Sequence, residues 1–246
     1  MDNNKLAARR RPVRAVMRGL ISIALGTLSH FKVQGRENIP AEGPLLIVAN
    51  HFSFLDPVAM INTLPWPVEF IGGFRMPNAP KIVTWIPAIW GVLPVHRGSV
   101  SRETLLAARN ILKNGGRLAI FPEAGSWAAV LRPARPGAAF LASSTNAQIL
   151  PIGLDGLVDL FPSLRRGKRS DVTIKIGRPF GPLYVSDRGE TDRGKLDEIG
   201  HTLMRHIAEL IPEERRGFYS DDPAIREAAK GTEIYPWSGP NAMQSG

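Results

Sequence analysis

The 246-residue sequence contains no cysteine. This excludes a disulfide framework, a thiolate nucleophile and a metal site with cysteine ligands. Acidic residues are scarce at the amino terminus: Asp2 is the only one in residues 1–36, against eight basic residues, whereas the other 210 residues carry 23 basic and 21 acidic side chains. The net charge of +9 therefore belongs mainly to an amino-terminal arm. That distribution suits an anionic membrane surface better than a groove that tracks nucleic-acid phosphates.

The arm also lacks a long apolar run. Its least polar stretch, Gly19 to Leu28, is half of the roughly 20 residues that a membrane-spanning helix needs. Apolar residues recur at helical spacing on one face: Val13, Val16, Met17, Leu20, Ala24 and Leu28. The other face carries Arg11, Arg14, Arg18, Ser22 and Ser29, with Leu25 among them. This pattern favours an interfacial amphipathic helix. A surface helix packed on the domain and a secretory signal or true span are the alternatives.

The rest of the chain predicts an α/β domain. With 43% hydrophobic and 22% charged residues the protein is globular. Strands are predicted at 31–35, 44–49, 68–72, 92–96, 117–121, 148–154 and 172–177, and helices at 56–64, 79–89, 101–113, 136–146 and 191–211. Short apolar strands that alternate with helices indicate a mostly parallel twisted sheet flanked by helices. We expect a membrane-associating arm at 1–30, one α/β domain at 31–211 and a carboxy-terminal extension at 212–246.

Polar residues follow three of the predicted strands. Asn50 and His51 follow the strand at 44–49, His96 and Arg97 end the strand at 92–96, and Glu123 follows the strand at 117–121. Ligands of parallel α/β sheets bind beyond the carboxyl ends of the strands. We therefore expect these side chains to converge on one edge of the sheet.

His51 and Asp56 are five residues apart and cannot share a face of one straight helix. They can meet if His51 lies in the turn and Asp56 in the first turn of the next helix. Ser53 with Asp56 forms a pattern like a capping box, and Pro57 is tolerated in a first helical turn. A carboxylate on one imidazole nitrogen leaves the other free as a base. The alternative is a helix cap beside a packed histidine.

In order, the segments "NHFSFLD", "GVLPVHR", "FPEAGSW" and "ILPIGL" resemble the motif blocks of the glycerolipid acyltransferases, which acylate glycerol-3-phosphate or lysophosphatidic acid. "RPGAAFLA" at 135–142 is similar to a helix start that this family places after its third block. The resemblance extends over about residues 30–180. It implies an acyl transfer from acyl-CoA or acyl-carrier protein without a covalent acyl-enzyme, and neither a metal nor a resident cofactor.

The resemblance also implies residue roles. His51 is expected to act as general base and Asp56 to orient it, while Arg97 binds the phosphate of the acceptor. Glu123, with the backbone at Ala124 and Gly125, is expected to shape the acceptor site, and Asn50 is a further candidate for substrate binding.

The third block departs from the family pattern F-P-E-G-T-R-S, because this chain has F-P-E-A-G-S-W. The threonine and the second arginine are missing, and Arg132 or Arg135 is a candidate replacement. This departure weakens the assignment of a phosphate-bearing acceptor more than that of acyl transfer.

We interpret the chain as a lipid acyltransferase that is peripheral to the cytoplasmic face of a membrane. The basic loop "LRRGKRS" at 164–170 is a candidate contact for anionic head groups or CoA phosphates. Two other interpretations remain: a lipid or thioester hydrolase that uses the same His–Asp pair, and a non-catalytic lipid-binding accessory protein. A nucleic-acid binder is disfavoured, because no stacking platform accompanies the basic residues.

Overall fold

The computed structural model of the protein describes residues 3–72, 90, 93–94, 102–184, 193–234 and 236. Within these ranges one sheet contains seven strands: β1 (Ser29–Gln34), β2 (Leu45–Ala49), β3 (Glu69–Gly72), β4 (Leu93–Pro94), β5 (Arg117–Ile120), β6 (Gln148–Asp155) and β7 (Ser170–Ile176). The helices are α1 (Asn3–Leu28), α2 (Asp56–Thr63), α3 (Arg102–Lys113), α4 (Pro136–Ser144), α5 (Leu160–Arg165), α6 (Arg193–Ala208) and α7 (Pro223–Ala229). The predicted α/β class is confirmed. The helix predicted at 79–89 lies outside the described residues.

The strand order is β1-β7-β6-β2-β5-β3-β4. The five strands from β6 to β4 are parallel to one another, and β1 is parallel to β7. The pairing of β6 with β7 is antiparallel. The predicted mostly parallel sheet is thus confirmed, with one antiparallel junction that the spacing of the strands did not indicate.

β2 is the central strand, and the sequence explains its position. All five of its residues are buried, as expected of an apolar run in a sheet covered on both faces. Leu45, Ile47 and Ala49 point into the core on the side of α1 and α2, whereas Leu46 and Val48 point into the core on the side of α3, α4 and α6. Two hydrophobic cores therefore hold β2 from opposite sides.

α1 packs on the domain with a face that holds both polar and apolar residues, and Met17 belongs to it rather than to the predicted apolar face. Arg14, Met17 and Leu25 are buried against the body. An apolar stripe faces outward, formed by Val13, Val16, Leu20, Ile23 and Leu28. Within the described part of the chain, no helix has the length and apolar character needed to cross a membrane.

Arg14 fixes α1 to β3 of the sheet. Its guanidinium forms a two-pronged pair with Glu69 of β3, with Nη1–Oε1 at 2.9 Å and Nη2–Oε2 at 3.1 Å. Nε and Nη2 also donate to the backbone carbonyl of Trp90, at 3.0 and 2.6 Å. A buried arginine needs such partners for its charge, so α1 can dock only in the rotation that brings Arg14 to Glu69.

Residues beyond α6 also pack on the body. Glu213–Arg215 and Gly217–Tyr219 form two short 3₁₀ turns, and α7 follows. Ile211 and Tyr219 lie in or against the core on the side of α4 and α6. The described part of the predicted extension is therefore ordered structure, while its separation from the domain as a unit stays a prediction.

Replacing Arg14 tests its role in docking α1. We expect Arg14→Met to lower the free energy of unfolding by about 2 kcal/mol, because the Glu69 carboxylate loses its hydrogen-bonded cation. Urea unfolding measures the loss. Arg18→Met is the matched control, since Arg18 makes one exposed hydrogen bond to the Pro65 carbonyl and is expected to change stability by less than about 0.5 kcal/mol. Equal effects of the two variants would contradict the assigned role.

Candidate active site

Those predicted site residues that the structure describes meet at the carboxyl ends of β2 and β5. Val48 pairs with Ile120, and the residues three positions further along each chain, His51 and Glu123, lie next to each other. The His51 backbone N–H donates to Glu123 Oε1 at 2.9 Å. Beyond the paired strands, the hydrogen bond between the His51 backbone and the Glu123 side chain continues to join the two chain segments.

Asp56 lies at the start of α2 and gathers three hydrogen bonds on one oxygen. His51 Nδ1 is 3.0 Å from Asp56 Oδ2. The backbone N–H groups of Phe52 and Ser53 donate to the same oxygen, each at 2.7 Å. The Asp56 N–H donates in turn to the Ser53 carbonyl at 3.0 Å. The turn therefore folds around the carboxylate and holds the imidazole against it. The capping box that the S-x-x-D pattern suggests does not form, because Leu55 rather than Ser53 is the N-cap of α2 and no described side chain caps the helix.

These contacts define the hydrogen-bonding role of each group. Burial raises the pKa of Asp56, and the hydrogen bonds from His51, Ser53 and Phe52 oppose that effect. Asp56 Oδ2 already accepts from two backbone N–H groups, so it acts as an acceptor toward the imidazole too, and Nδ1 is assigned the proton in this pair. The lone pair of the neutral imidazole is then on Nε2.

Phe121 fixes the plane of the imidazole. The two rings stack with centroids 4.2 Å apart and an angle of 20° between their planes. Phe121 is buried, and the His51 side chain keeps 17% of its surface exposed. An imidazole held in this way can take a proton from a hydroxyl group or from water.

Glu123 is buried and paired on both oxygens. Oε1 accepts from His51, and Oε2 accepts from Arg132 Nε at 3.0 Å. Burial raises the pKa of Glu123 to about 7, against the opposing charge of Arg132. Its carboxylate faces the interior of the protein and anchors the backbone of His51.

Asn50 is fully buried and links two strands. Its Nδ2 donates to the Leu154 carbonyl at 2.8 Å, and its Oδ1 accepts from the Leu154 N–H at 2.7 Å. The side chain therefore fixes the end of β2 to β6. Its predicted contact with substrate stays a prediction.

The altered third block has its own geometry. Ala124 is exposed and has a φ of +61°, in the left-handed region that favours glycine. The Trp127 ring lies over Gly125 so closely that a Cβ atom there would be 2.3 Å from Trp127 Cζ3. Glycine at 125 and tryptophan at 127 therefore depend on each other.

The structure brings His51, Asp56, Asn50 and Glu123 together, with Ala124 and Gly125 beside them. Arg97, with His96, lies outside the described residues. Sequence reasoning named Arg132 only as a candidate ligand for substrate and missed its pairing with Glu123. Among the described residues, no group of three or more histidine and acidic side chains is placed to hold a metal.

Comparisons with known proteins agree with this geometry. A family model described as Acyltransferase matches residues 30–155. The chain is 29% identical over 168 residues to a chloroplastic 1-acyl-sn-glycerol-3-phosphate acyltransferase of Brassica napus, covering 65% of this chain and 47% of that one. A protein of Bacillus subtilis, also named 1-acyl-sn-glycerol-3-phosphate acyltransferase, is 22% identical over 192 residues, covering 77% and 92%.

A solved structure supports the fold. The crystal structure of the 1-acyl-sn-glycerophosphate (LPA) acyltransferase PlsC from Thermotoga maritima matches with a TM-score of 0.59 and 24% identity, over 85% of this chain and 83% of that one. The chain spans about half the length of the plant and algal relatives that it matches.

Ala124 gives a test of backbone strain beside the site. We expect Ala124→Gly to raise the free energy of unfolding by about 1 kcal/mol, because glycine adopts the left-handed conformation without the steric penalty of a Cβ atom. Thermal unfolding measures the change. Ala107→Gly, the same substitution within α3, is the control and is expected to lower stability by about 1 kcal/mol. Destabilisation by both variants would refute the strain at Ala124.

Proposed function

The chain belongs to the acyltransferase family, as the order of its motifs predicts, and on that premise we propose that it is an O-acyltransferase. It would move a fatty acyl chain from acyl-CoA or acyl-carrier protein to the hydroxyl of a glycerophosphate or lysophospholipid, as a 1-acylglycerol-3-phosphate O-acyltransferase does. The observation that carries this proposal is the His51–Asp56 pair at the sheet edge, with Nδ1 of the imidazole 3.0 Å from Asp56 Oδ2. The names of its plant and bacterial relatives support the choice of acceptor.

In the proposed reaction His51 Nε2 removes the proton of the acceptor hydroxyl as its oxygen attacks the thioester carbonyl. Asp56 stabilises the imidazolium that forms. The new C–O bond makes the ester, the C–S bond breaks, and His51 returns the proton to the departing thiolate. The products are an acylated glycerolipid and a free thiol, and the step needs no resident cofactor.

We assign the phosphate of the acceptor to Arg97, on the resemblance of its motif. The guanidinium of Arg132, five residues after the third block, is already paired with Glu123 and the Gly125 carbonyl. Arginine suits a phosphate because its planar fork can bind two oxygens. Ala124 and Gly125 would line the acceptor side through their backbone.

We also propose that the protein lies on the cytoplasmic face of a membrane. Val16, Leu20 and Ile23 on the outer face of α1 are 63–66% exposed. The basic loop at 164–170 meets the end of this helix, because Arg169 donates to the carbonyls of Gly26 and Ser29. An apolar stripe beside exposed basic residues is the combination that binds an anionic bilayer.

Release of free thiol from acyl-CoA tests the proposed reaction. We expect membrane-bound protein to release thiol when glycerol-3-phosphate or lysophosphatidic acid is added, and little without an acceptor. Dependence on a neutral lysolipid instead would overturn the assigned phosphate-bearing acceptor. Equal release without an acceptor would favour a hydrolase, and no release from acyl-CoA or acyl-carrier protein would refute the enzyme.

The role of His51 is tested in the same assay. We expect His51→Ala to lower turnover by roughly 10²–10⁴-fold, because the reaction loses its general base. His30→Ala is the control, since His30 is exposed on the edge strand β1 and should leave turnover unchanged. Circular dichroism checks that both variants fold. Near-normal transfer by His51→Ala would leave the histidine a structural role only.

The outer face of α1 is tested by binding to vesicles that contain anionic lipid. We expect the triple variant Val16→Ser, Leu20→Ser, Ile23→Ser to bind at least about tenfold more weakly, because it loses apolar area that would enter the bilayer interface. Sedimentation with vesicles measures the partitioning. The control is Leu106→Ser, which changes an exposed leucine of α3. Unchanged binding of the triple variant would exclude this face as the membrane contact.

A further inference from the structure

Arg132 lies behind the candidate active site and is 1% exposed. Its Nε donates to Glu123 Oε2 at 3.0 Å, and its Nη2 is 2.9 Å from the same oxygen. Nη2 also donates to the Gly125 carbonyl, and the guanidinium lies 3.9 Å from the centre of the Trp127 ring. This side chain is therefore held by three different groups of the altered third block.

We propose that Arg132 is a positioning residue for the transfer reaction, and that the segment 213–234 holds it in place. In this inference, which rests on the proposed function, Arg132 fixes the Glu123 carboxylate, and Glu123 fixes the backbone of His51. Neither residue needs to touch a substrate. The third block lacks the arginine of the family pattern, and the arginine nine positions after Glu123 faces the interior instead.

The geometry of Glu123 carries the first step. One carboxylate oxygen accepts from the His51 N–H and the other from Arg132. A carboxylate is rigid, so a change at Arg132 shifts the acceptor beneath His51. A displacement of about 1 Å in a catalytic group can lower a rate 10²-fold.

The charge of Arg132 carries the second step. Burial already raises the pKa of Glu123 to about 7 with Arg132 in place. Removing the guanidinium would raise this pKa further and shift the carboxyl toward its protonated form. Its hydrogen bond with the His51 N–H would then lose the strength that an ionised acceptor gives.

The segment 213–234 holds Arg132 through its neighbours. The Leu131 N–H donates to the Arg215 carbonyl at 2.9 Å, and the Phe218 N–H donates to the Leu131 carbonyl at 3.2 Å. Gly217 approaches so closely that a Cβ atom there would lie 2.3 Å from the Leu131 oxygen. Trp127 Nε1 donates to the Thr232 carbonyl at 2.8 Å. Both the backbone before Arg132 and the ring stacked on it are therefore fixed by this segment.

Steady-state kinetics of Arg132→Met and Arg132→Lys test the inference. We expect Arg132→Met to lower kcat by about 100-fold with little change in KM for donor or acceptor, because only the placement of His51 suffers. Arg132→Lys should recover part of the loss, since lysine keeps the charge without the fork. The matched control is Arg117→Met, at the opposite end of β5. Arg117 also stacks on an indole, that of Trp66, and donates to a backbone carbonyl, that of Ala41.

Amide hydrogen exchange over residues 50–53 gives a readout that does not need activity. We expect faster exchange of the His51 N–H in Arg132→Met and no change in Arg117→Met. A kcat loss no greater than that of Arg117→Met, or unchanged exchange at His51, would overturn the inference. If the wild-type protein transferred no acyl chain, the proposed function would fail, while the exchange comparison would still decide whether Arg132 positions His51.

Gly217→Ala tests the contribution of the segment 213–234. An alanine at this position, with φ of +49° and the Leu131 oxygen in contact, must push the segment away. We expect a lower kcat and faster exchange at His51, both smaller than in Arg132→Met. A wild-type kcat in this variant, with faster exchange at Leu131, would remove the segment from the proposal.

Discussion

The pairing of β2 with β5 on one side and β6 on the other is the constraint on which the candidate site depends. Val48 opposite Ile120 places His51 over Glu123, and Ala49 opposite Ile152 brings Asn50 to Leu154. A slip of one residue would move every side chain of β2 to the other face. The alternating burial of β2 in two cores prevents that slip. Hydrophobic packing in the middle of the sheet thereby fixes the hydrogen bonds of His51 and Asn50 at the carboxyl ends of the strands.

Most of the correct predictions of strands and of the His51–Asp56 pair came from patterns within a few neighbouring residues. The strands appear as apolar runs, and the pair His51 and Asp56 lies within one turn, so both signals are contained in a few neighbouring residues. Arg14 and Arg132 could not be placed in this way. On a helix Arg14 has the spacing of a polar face, and its partner Glu69 is 55 positions away. Arg132 reaches Glu123 only through an irregular loop, and no periodicity describes such a loop.

The third block joins features that are separate in the sequence. Gly125 leaves room for the Trp127 ring, the ring covers Arg132, and Arg132 neutralises Glu123. An aromatic face stabilises a guanidinium, so a tryptophan in this motif is compatible with a buried cation. The departure from the family pattern therefore gives the buried Arg132 an acidic and an aromatic partner, while its Nη1 is buried without a hydrogen-bond partner in the described part of the chain. Ala124, in a conformation that favours glycine, is its one strained backbone position among the described residues.

α1 ends at Leu28 and β1 begins at Ser29, so no linker separates the helix from the sheet. The pair of Arg14 with Glu69 also fixes the rotation of the helix about its own axis. Because the helix is joined and docked in this way, its tilt and its rotation about its axis determine the orientation of the whole domain. If its outer stripe rests on a bilayer, the domain has one orientation relative to that surface. The distance and orientation of the candidate site relative to the lipid are then set by the fold itself.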